Sequence, residues 1–487
     1  MTGHLASQPP RLRSYVAGGW MQSESDVWLD DVNPSDETDV VARVPAGNSD
    51  DVRLAVAAAA AAADTWRATT GPTRAEYLYR WSTEIAARQE VIAQAVTREV
   101  GKPIAEARGE AARCVAILRY HAGEAVRETG TVIPAQMPKT LQFTLRQPLG
   151  VIALITPWNF PVAIPVWKTA PALAFGNTVV LKPAEASSHV ACLLAECADA
   201  AGLPPGVFNL VLGAGPEIGP VLLRDERVKA VSFTGSGPVG QQVAAIAAER
   251  NIRYQTEMGG KNVAIVLPDA AIPRAAALTA GGAMRYAGQK CTATSRVVVS
   301  REVEHEFMRE LRKQVEALPL GPVTDPSAAI GPLISRDARS RVAMVVRELG
   351  GDPFYQGRVP TGDGFDRGFF LPPTIFRESA VDSVLAPREL FGPVLASFVA
   401  EDLDHALALA NGTGYGLSAS LFTSDIASAL RYIDRIDAGL VRVNGDTTGV
   451  DPHAPFGGMK GSSSGSREQG PAAREFYTEI KTVQIAG

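Results

Sequence analysis

From Val151 onward the chain alternates short apolar runs with helical segments, and that alternation restricts the fold more than any other feature. VIALI, TVVL, VFNLV and KAVSF each end at a Gly, Pro or Asn turn and lead into a helical pattern. Runs of this length, apolar throughout, suit strands of a parallel sheet covered on both faces by crossover helices. A second α/β stretch extends from about Asn262 to about Val443, and Gly259-Gly260 is the natural hinge between the two. The first third reads as helices. Asn48-Ser49-Asp50 can cap an Ala-rich helix reaching about Trp66, and Thr73 to about Val100 carries apolar residues at helical spacing. Gly101-Lys102-Pro103 breaks that run, and a third helix reaches about Val126. Two segments follow period 2 instead: Leu141, Phe143 and Leu145, and the tail EFYTEIKTVQI. Both read as strands without a partner in the main sheets.

Composition narrows the function classes. The 487 residues give room for about three domains. Lys and Arg number 47 against 52 Asp and Glu, so no basic surplus exists to hold nucleic acid or an anionic membrane. The longest apolar stretch, Leu54 to Ala63, is ten residues, against the ~20 that a bilayer span needs. The opening MTGHLASQPPRLR lacks the apolar core of a signal peptide. Four cysteines, Cys114, Cys192, Cys197 and Cys291, make no disulfide framework and fit a reducing cytoplasm. A large cytoplasmic α/β enzyme is the expectation.

Cys291 lies in AGQKCTATSR, on a turn between a helix ending near Tyr286 and the strand RVVV. A thiol there can be approached by a ligand, and Lys290 beside it could stabilise a thiolate. The plainer reading is a small buried apolar residue, which suits the other three cysteines within helical patterns. Glu257, at a strand end before two glycines, suits a general base facing a cleft, or a solvated strand-end charge. Gly235-Ser236-Gly237-Pro238-Val239-Gly240 follows a strand, opens a helix and matches G-x-G-x-x-G, a pyrophosphate turn. Glu257 then falls 22 residues beyond Gly235, where a ribose-binding acid would stand. Spacing leaves both roles open. TPWNFP places the amide of Asn159 at a strand's C-terminal end, and LKPAE puts Lys182 and Glu185 at the end of the next strand. Lysine can donate to a ribose hydroxyl and glutamate can accept from one.

TPWNFP, WKTAPALAFGNTVVLKPAE, FTGS, EMGGKN, GQKC, LFGPV and PFGGMK, in this order, resemble the aldehyde dehydrogenase superfamily across essentially the whole chain. The resemblance implies Cys291 as nucleophile, Glu257 as general base, and Asn159 with the Cys291 N–H as oxyanion donors. It implies cofactor contacts at Thr156, Trp158, Lys182, Glu185, Gly215, Gly235, Ser236, Gly240, Met258, Glu389 and Phe391. The family usually has Thr-Glu where Gly237-Pro238 stands here, so the literal G-x-G-x-x-G is read as coincidental. The implied fold is α/β, with a Rossmann-like parallel-sheet cofactor domain (1-128 and 149-259), an α/β catalytic domain (260-460) and small β oligomerisation strands (129-148 and 472-487). A homodimer or homotetramer follows, with NAD preferred and NADP the lesser alternative because Glu185 repels a 2′-phosphate. No metal is implied.

For substrate, Phe160, Trp167 and Phe456 are implied to line the aldehyde site. Arg285, six residues before Cys291, resembles the arginine with which succinate semialdehyde dehydrogenases hold a distal carboxylate. Trp167, however, stands where those enzymes place a second arginine. Gly445-Asp446-Thr447-Thr448 offers hydroxyls in place of aromatic bulk. NFPVAIPVWKTAPALAFGN, GQKCTATSR and GSSSGSREQG are similar to α-ketoglutaric semialdehyde (2,5-dioxopentanoate) dehydrogenases. A short ω-carboxylated aldehyde is the expected substrate. The alternatives are succinate semialdehyde, a broad range of aldehydes, a coenzyme-A-acylating or Rossmann alcohol dehydrogenase, and a non-catalytic relative.

Overall fold

The computed structural model describes residues 8–348, 352–362, 364–377, 385 and 387–487; the first seven residues of the opening stretch lie outside the described residues. Five parallel strands form the centre of the first sheet, in the spatial order Phe208–Leu210, Thr178–Lys182, Val151–Ile155, Val228–Thr234, Arg253–Glu257. The chain starts at the middle strand, builds outward on one side, then returns to build on the other. Such a reversal opens a crevice beyond the C-terminal ends of the two inner strands. Antiparallel Ser14–Val16 and Gly19–Met21 close one edge, and Ser463–Ser464 closes the other beside Arg253–Glu257.

Alternate residues of one strand serve opposite faces, as the pleat requires. Ile152 and Leu154 join a large core with Trp66, Trp81 and Ile117, whereas Val151 and Ala153 pack with Val52, Val56 and Leu222. The chain then crosses Met258–Lys261 into a second sheet. Its parallel strands lie in the order Thr374–Arg377, Val394–Ala400, Thr294–Ser300, Asn262–Val266, Ser418–Phe422, Leu440–Val443, around a separate core. No helix among the described residues is long and apolar enough to cross a membrane.

The Ala-rich helix spans Ser49–Ala68, and Asn48 caps it with a reciprocal pair: its side chain accepts from Asp50 and Asp51, whose carboxylate accepts from the Asn48 N–H. The first third is less helical than its pattern suggests. Trp28–Asn33 and Asp36–Pro45 form a hairpin, and Thr73 to Val100 divides at Arg88 into Gly71–Ala87 and Gln89–Val100. The third helix runs Ile104–Glu124. At the end of the chain Ala472–Tyr477 is helical, so the final strand begins only at Thr478. That strand pairs outside both main sheets: Thr478–Ala486 matches Thr140–Pro148 residue for residue, and Val132–Ile133 adds a third strand.

Candidate active site

The crevice beyond the first sheet is a cavity of about 260 Å³. The turn after Val151–Ile155 brings Trp158 and Asn159 to it, and the turn after Val228–Thr234 brings Gly235 and Ser236. Met258, Arg341, Glu389 and Phe391 also line it, with Phe391 edge-on to Trp158 at 5.7 Å between ring centroids. The helix Gly237–Glu249 opens here with no side-chain cap at Ser236, so its first-turn amides are left for an anion. A Cβ on Gly240 would stand 2.6 Å from Met258 Sδ, so glycine lets this helix lie against the wall. These features fit a dinucleotide. Glu389 accepts from the Gly260 N–H at 3.0 Å, and burial pushes its carboxyl up to about 7.

Cys291 lines this cavity and also a second one of about 210 Å³, walled by Phe160, Ala163, Trp167, Val450, Phe456 and one face of the helix Ile104–Glu124. The turn before the thiol is tightly specified. Tyr286, Ala287 and Gly288 all have φ near +50° to +70°, and a Cβ on Gly288 would meet the Gly392 carbonyl at 2.5 Å. Asn262 Nδ2 donates to the carbonyls of Cys291 and Ala293, both at 2.8 Å, and so fixes the backbone that carries the thiol. Asn159 is buried and donates one Nδ2 hydrogen to the Gln289 carbonyl at 3.1 Å, leaving its second for a ligand.

Several charges sit elsewhere than the sequence suggested. Lys290 does not serve the thiol; it pairs with Glu106 at 2.8 Å. Burial, then the carboxylates of Glu389 and Glu257, push the Cys291 thiol up to about 12. Glu257 lines neither cavity. It is buried, accepts from Ser463 Oγ at 2.5 Å on Oε2, and leaves Oε1 without a hydrogen-bond partner. Burial first, then the nearby Glu468, hold its carboxyl well above the usual carboxylate range. Lys182 and Glu185 lie 3.5 Å apart, and Glu185 accepts from the Gly215 N–H, so these three come together. Thr156 is buried behind the crevice, its N–H bonded to the Lys182 carbonyl at 3.1 Å.

Arg285 is exposed and is not among the residues walling the thiol's cavity. Its neighbour Tyr286 takes the inward place, with its hydroxyl donating to the Val100 carbonyl at 3.3 Å. The hydroxyls of the 445–448 loop are spent internally: Thr447 Oγ1 donates to the Thr292 carbonyl at 2.7 Å, and Thr448 Oγ1 donates to Asp446 at 3.1 Å. Trp167 and Phe456 do wall the cavity, 5.4 Å apart. The sequence reading missed Asn262, although EMGGKN contains it, and Ser463, within GSSSGSREQG. It also missed the buried group in which Lys168 holds Glu468 and donates to Ser232 at 2.7 Å.

The profile of the aldehyde dehydrogenase family matches residues 20–483. An alpha-ketoglutaric semialdehyde dehydrogenase of Bacillus subtilis is 43% identical over 481 residues, covering 97% of each chain. A 2,5-dioxopentanoate dehydrogenase of Saccharolobus solfataricus is 37% identical over 480 residues, covering 97% of this chain and 99% of that one. The crystal structure of an NAD-dependent aldehyde dehydrogenase from Sinorhizobium meliloti superposes with a TM-score of 0.94 at 37% identity, covering 98% of this chain and 95% of the other. A thiol shared by a dinucleotide crevice and an apolar cavity, within a match of this length, has one reading: the chain belongs to the aldehyde dehydrogenase family.

Proposed function

We propose that this chain catalyses NAD-dependent, hydrolytic oxidation of a short ω-carboxylated aldehyde, best represented by 2,5-dioxopentanoate, to the acid. The observation that carries the chemistry is Cys291 opening onto both cavities, so that one carbon bonded to its sulfur is reachable from the cofactor side. The small volume of the second cavity and the names of the relatives support the substrate class. Residues 1-128 with 149-259 hold the cofactor, and 260-460 supply the nucleophile.

The Cys291 sulfur, as thiolate, adds to the aldehyde carbon. The oxyanion that forms accepts from the uncommitted Asn159 Nδ2 hydrogen and the Cys291 N–H. Bound NAD supplies the hydride acceptor. Loss of hydride from the thiohemiacetal leaves a thioester on Cys291. Glu257 then takes a proton from water, whose oxygen adds to the thioester carbon; collapse breaks the C–S bond and releases the acid and the thiolate. Glu257 Oε1, which has no hydrogen-bond partner, is the oxygen left to take that proton. Glu185, a carboxylate beside Lys182, favours NAD over a cofactor bearing a 2′-phosphate.

The test is an NAD-coupled screen without coenzyme A, using ω-carboxylated and neutral aldehydes of equal chain length. NADH formed with higher kcat/KM on the acids is the expected result. Equal efficiency on both sets would overturn the substrate class, and an absolute need for coenzyme A would overturn hydrolysis. Assembly into a homodimer or homotetramer through Thr140–Pro148 and Thr478–Ala486 belongs to the same reading, as does a cytoplasmic location, which four unpaired cysteines suit.

A further inference from the structure

The helix Ile104–Glu124 presents Glu106, Gly109, Glu110 and Arg113 to the thiol's cavity, a spacing of three, four and seven that puts all four on one face. The two carboxylates of that wall are each matched. Glu106 pairs with Lys290 at 2.8 Å, and Glu110 pairs with Lys102 and accepts from the Val162 and Ala163 amides at 2.9 Å. Arg113 is not matched in this way. Its Nε and Nη2 are both buried, and neither has a hydrogen-bond partner. These two atoms form one edge of the guanidinium. It is the edge with which Arg108 holds both Glu90 oxygens, at 2.9 and 2.8 Å.

The charges facing Arg113 do not fill that edge. Glu110 is engaged as described, Asp451 is exposed, and Arg442 is a like charge whose Nη2 donates to the Gly449 carbonyl. A desolvated guanidinium edge without an acceptor is costly, and a carboxylate is the ligand that matches it in charge and in shape. One turn earlier, a Cβ on Gly109 would have no heavy atom within 4 Å, so the wall beside the guanidinium is open. Phe160, Trp167, Val450 and Phe456 offer an apolar surface for the few carbons that join a carboxylate to an aldehyde.

We propose that Arg113, and not Arg285, is the specificity-determining residue that takes the distal carboxylate of the substrate by the Nε–Nη2 edge while its aldehyde carbon meets Cys291. This rests on the ω-carboxylated-aldehyde reading above. It is tested with Arg113→Met, Arg113→Lys and Arg285→Ala, each assayed with 5-oxopentanoate and with pentanal, and with glutarate as a non-reacting competitor. Loss of a charge-assisted pair should lower kcat/KM on 5-oxopentanoate roughly tenfold to a hundredfold in Arg113→Met. The change should lie in KM, with kcat held within a few-fold; pentanal should be little affected and glutarate should cease to compete. Arg113→Lys, keeping the charge, should recover part of the loss. Equal losses on both aldehydes in both Arg113 variants would show a structural role and overturn the proposal. So would an acid preference that survives Arg113→Met or disappears in Arg285→Ala alone. A wild-type enzyme with no acid preference would instead refute the substrate reading itself, a result distinct from these.

Discussion

At the scale of single residues, Cys291 differs from the other cysteines by access alone. Cys114, Cys192 and Cys197 are buried within helices, whereas Cys291 opens onto two cavities. Iodoacetamide on the native protein should therefore label Cys291 selectively, and mass spectrometry of the digest would show it. With the thiol pushed up to about 12, that labelling should be slow at pH 7 and should accelerate with each unit of rising pH. Cys291→Ser should abolish dehydrogenation in the NAD-coupled assay. Glu389 gives a second pH signature. Its carboxyl shifts from an ordinary 4.5 to about 7, so the folded chain binds the proton more tightly than the unfolded one. Stability contributed by this group is present below about 4.5 and is lost as pH rises to about 7, up to roughly 3 kcal/mol. Glu389→Gln, which keeps an acceptor for the Gly260 N–H, should be less sensitive to pH across that window in urea titrations. Cys291, Asn159 and Glu257 were legible because each lies within a short local motif. The Ser463 that holds Glu257 lies 206 residues away along the chain, and no local pattern reports such a contact.

At the scale of elements, legibility followed the clarity of the period. The Ala-rich helix and its cap could be read directly, and the βαβ runs could be counted. The hairpin Trp28–Pro45 was not read, because its register shifts between Asp31 and Val32 and again between Val32 and Asn33, which spoils a strict alternation. The turn that carries Cys291 is also outside simple pattern rules. Tyr286 and Ala287 adopt the left-handed region without being glycine, a strain held by burial of the Tyr286 ring. Gly288, at φ +67°, cannot take a side chain without meeting the Gly392 and Ala283 carbonyls. Gly288→Ala should therefore cost at least ~1 kcal/mol in stability, with a larger loss in kcat as the thiol shifts. Folded but active protein, at the wild-type kcat, would show that the turn does not position Cys291.

At the scale of the whole molecule, the three-stranded sheet Val132–Ile133, Thr140–Pro148 and Thr478–Ala486 stands apart from both main sheets. Alternation announced its two long strands and not Val132–Ile133, and the pairing of Thr478 with Pro148 joins distant parts of the chain and had to be seen. Directly opposed pairs share a face, so Leu141 with Ile485 and Phe143 with Val483 lie together, joined by Val132 opposite Phe143 and by Leu145. Val132 is 73% exposed, Ile485 54%, Leu141 49% and Leu145 41%. Such an apolar sheet face suits burial against a second copy. Full burial of one Leu or Ile is worth roughly 1.5–3 kcal/mol, and in a two-fold dimer each substitution acts twice. Light scattering on the wild type should give a multiple of 51.4 kDa, and Leu141→Lys with Ile485→Lys should shift it toward the single-chain mass. Wild-type protein at the single-chain mass, or a double variant with unchanged mass, would remove this sheet from the assembly. Neither substitution touches the two cavities at Cys291, so turnover per chain in the lower-mass form then measures whether the site needs a neighbour at all.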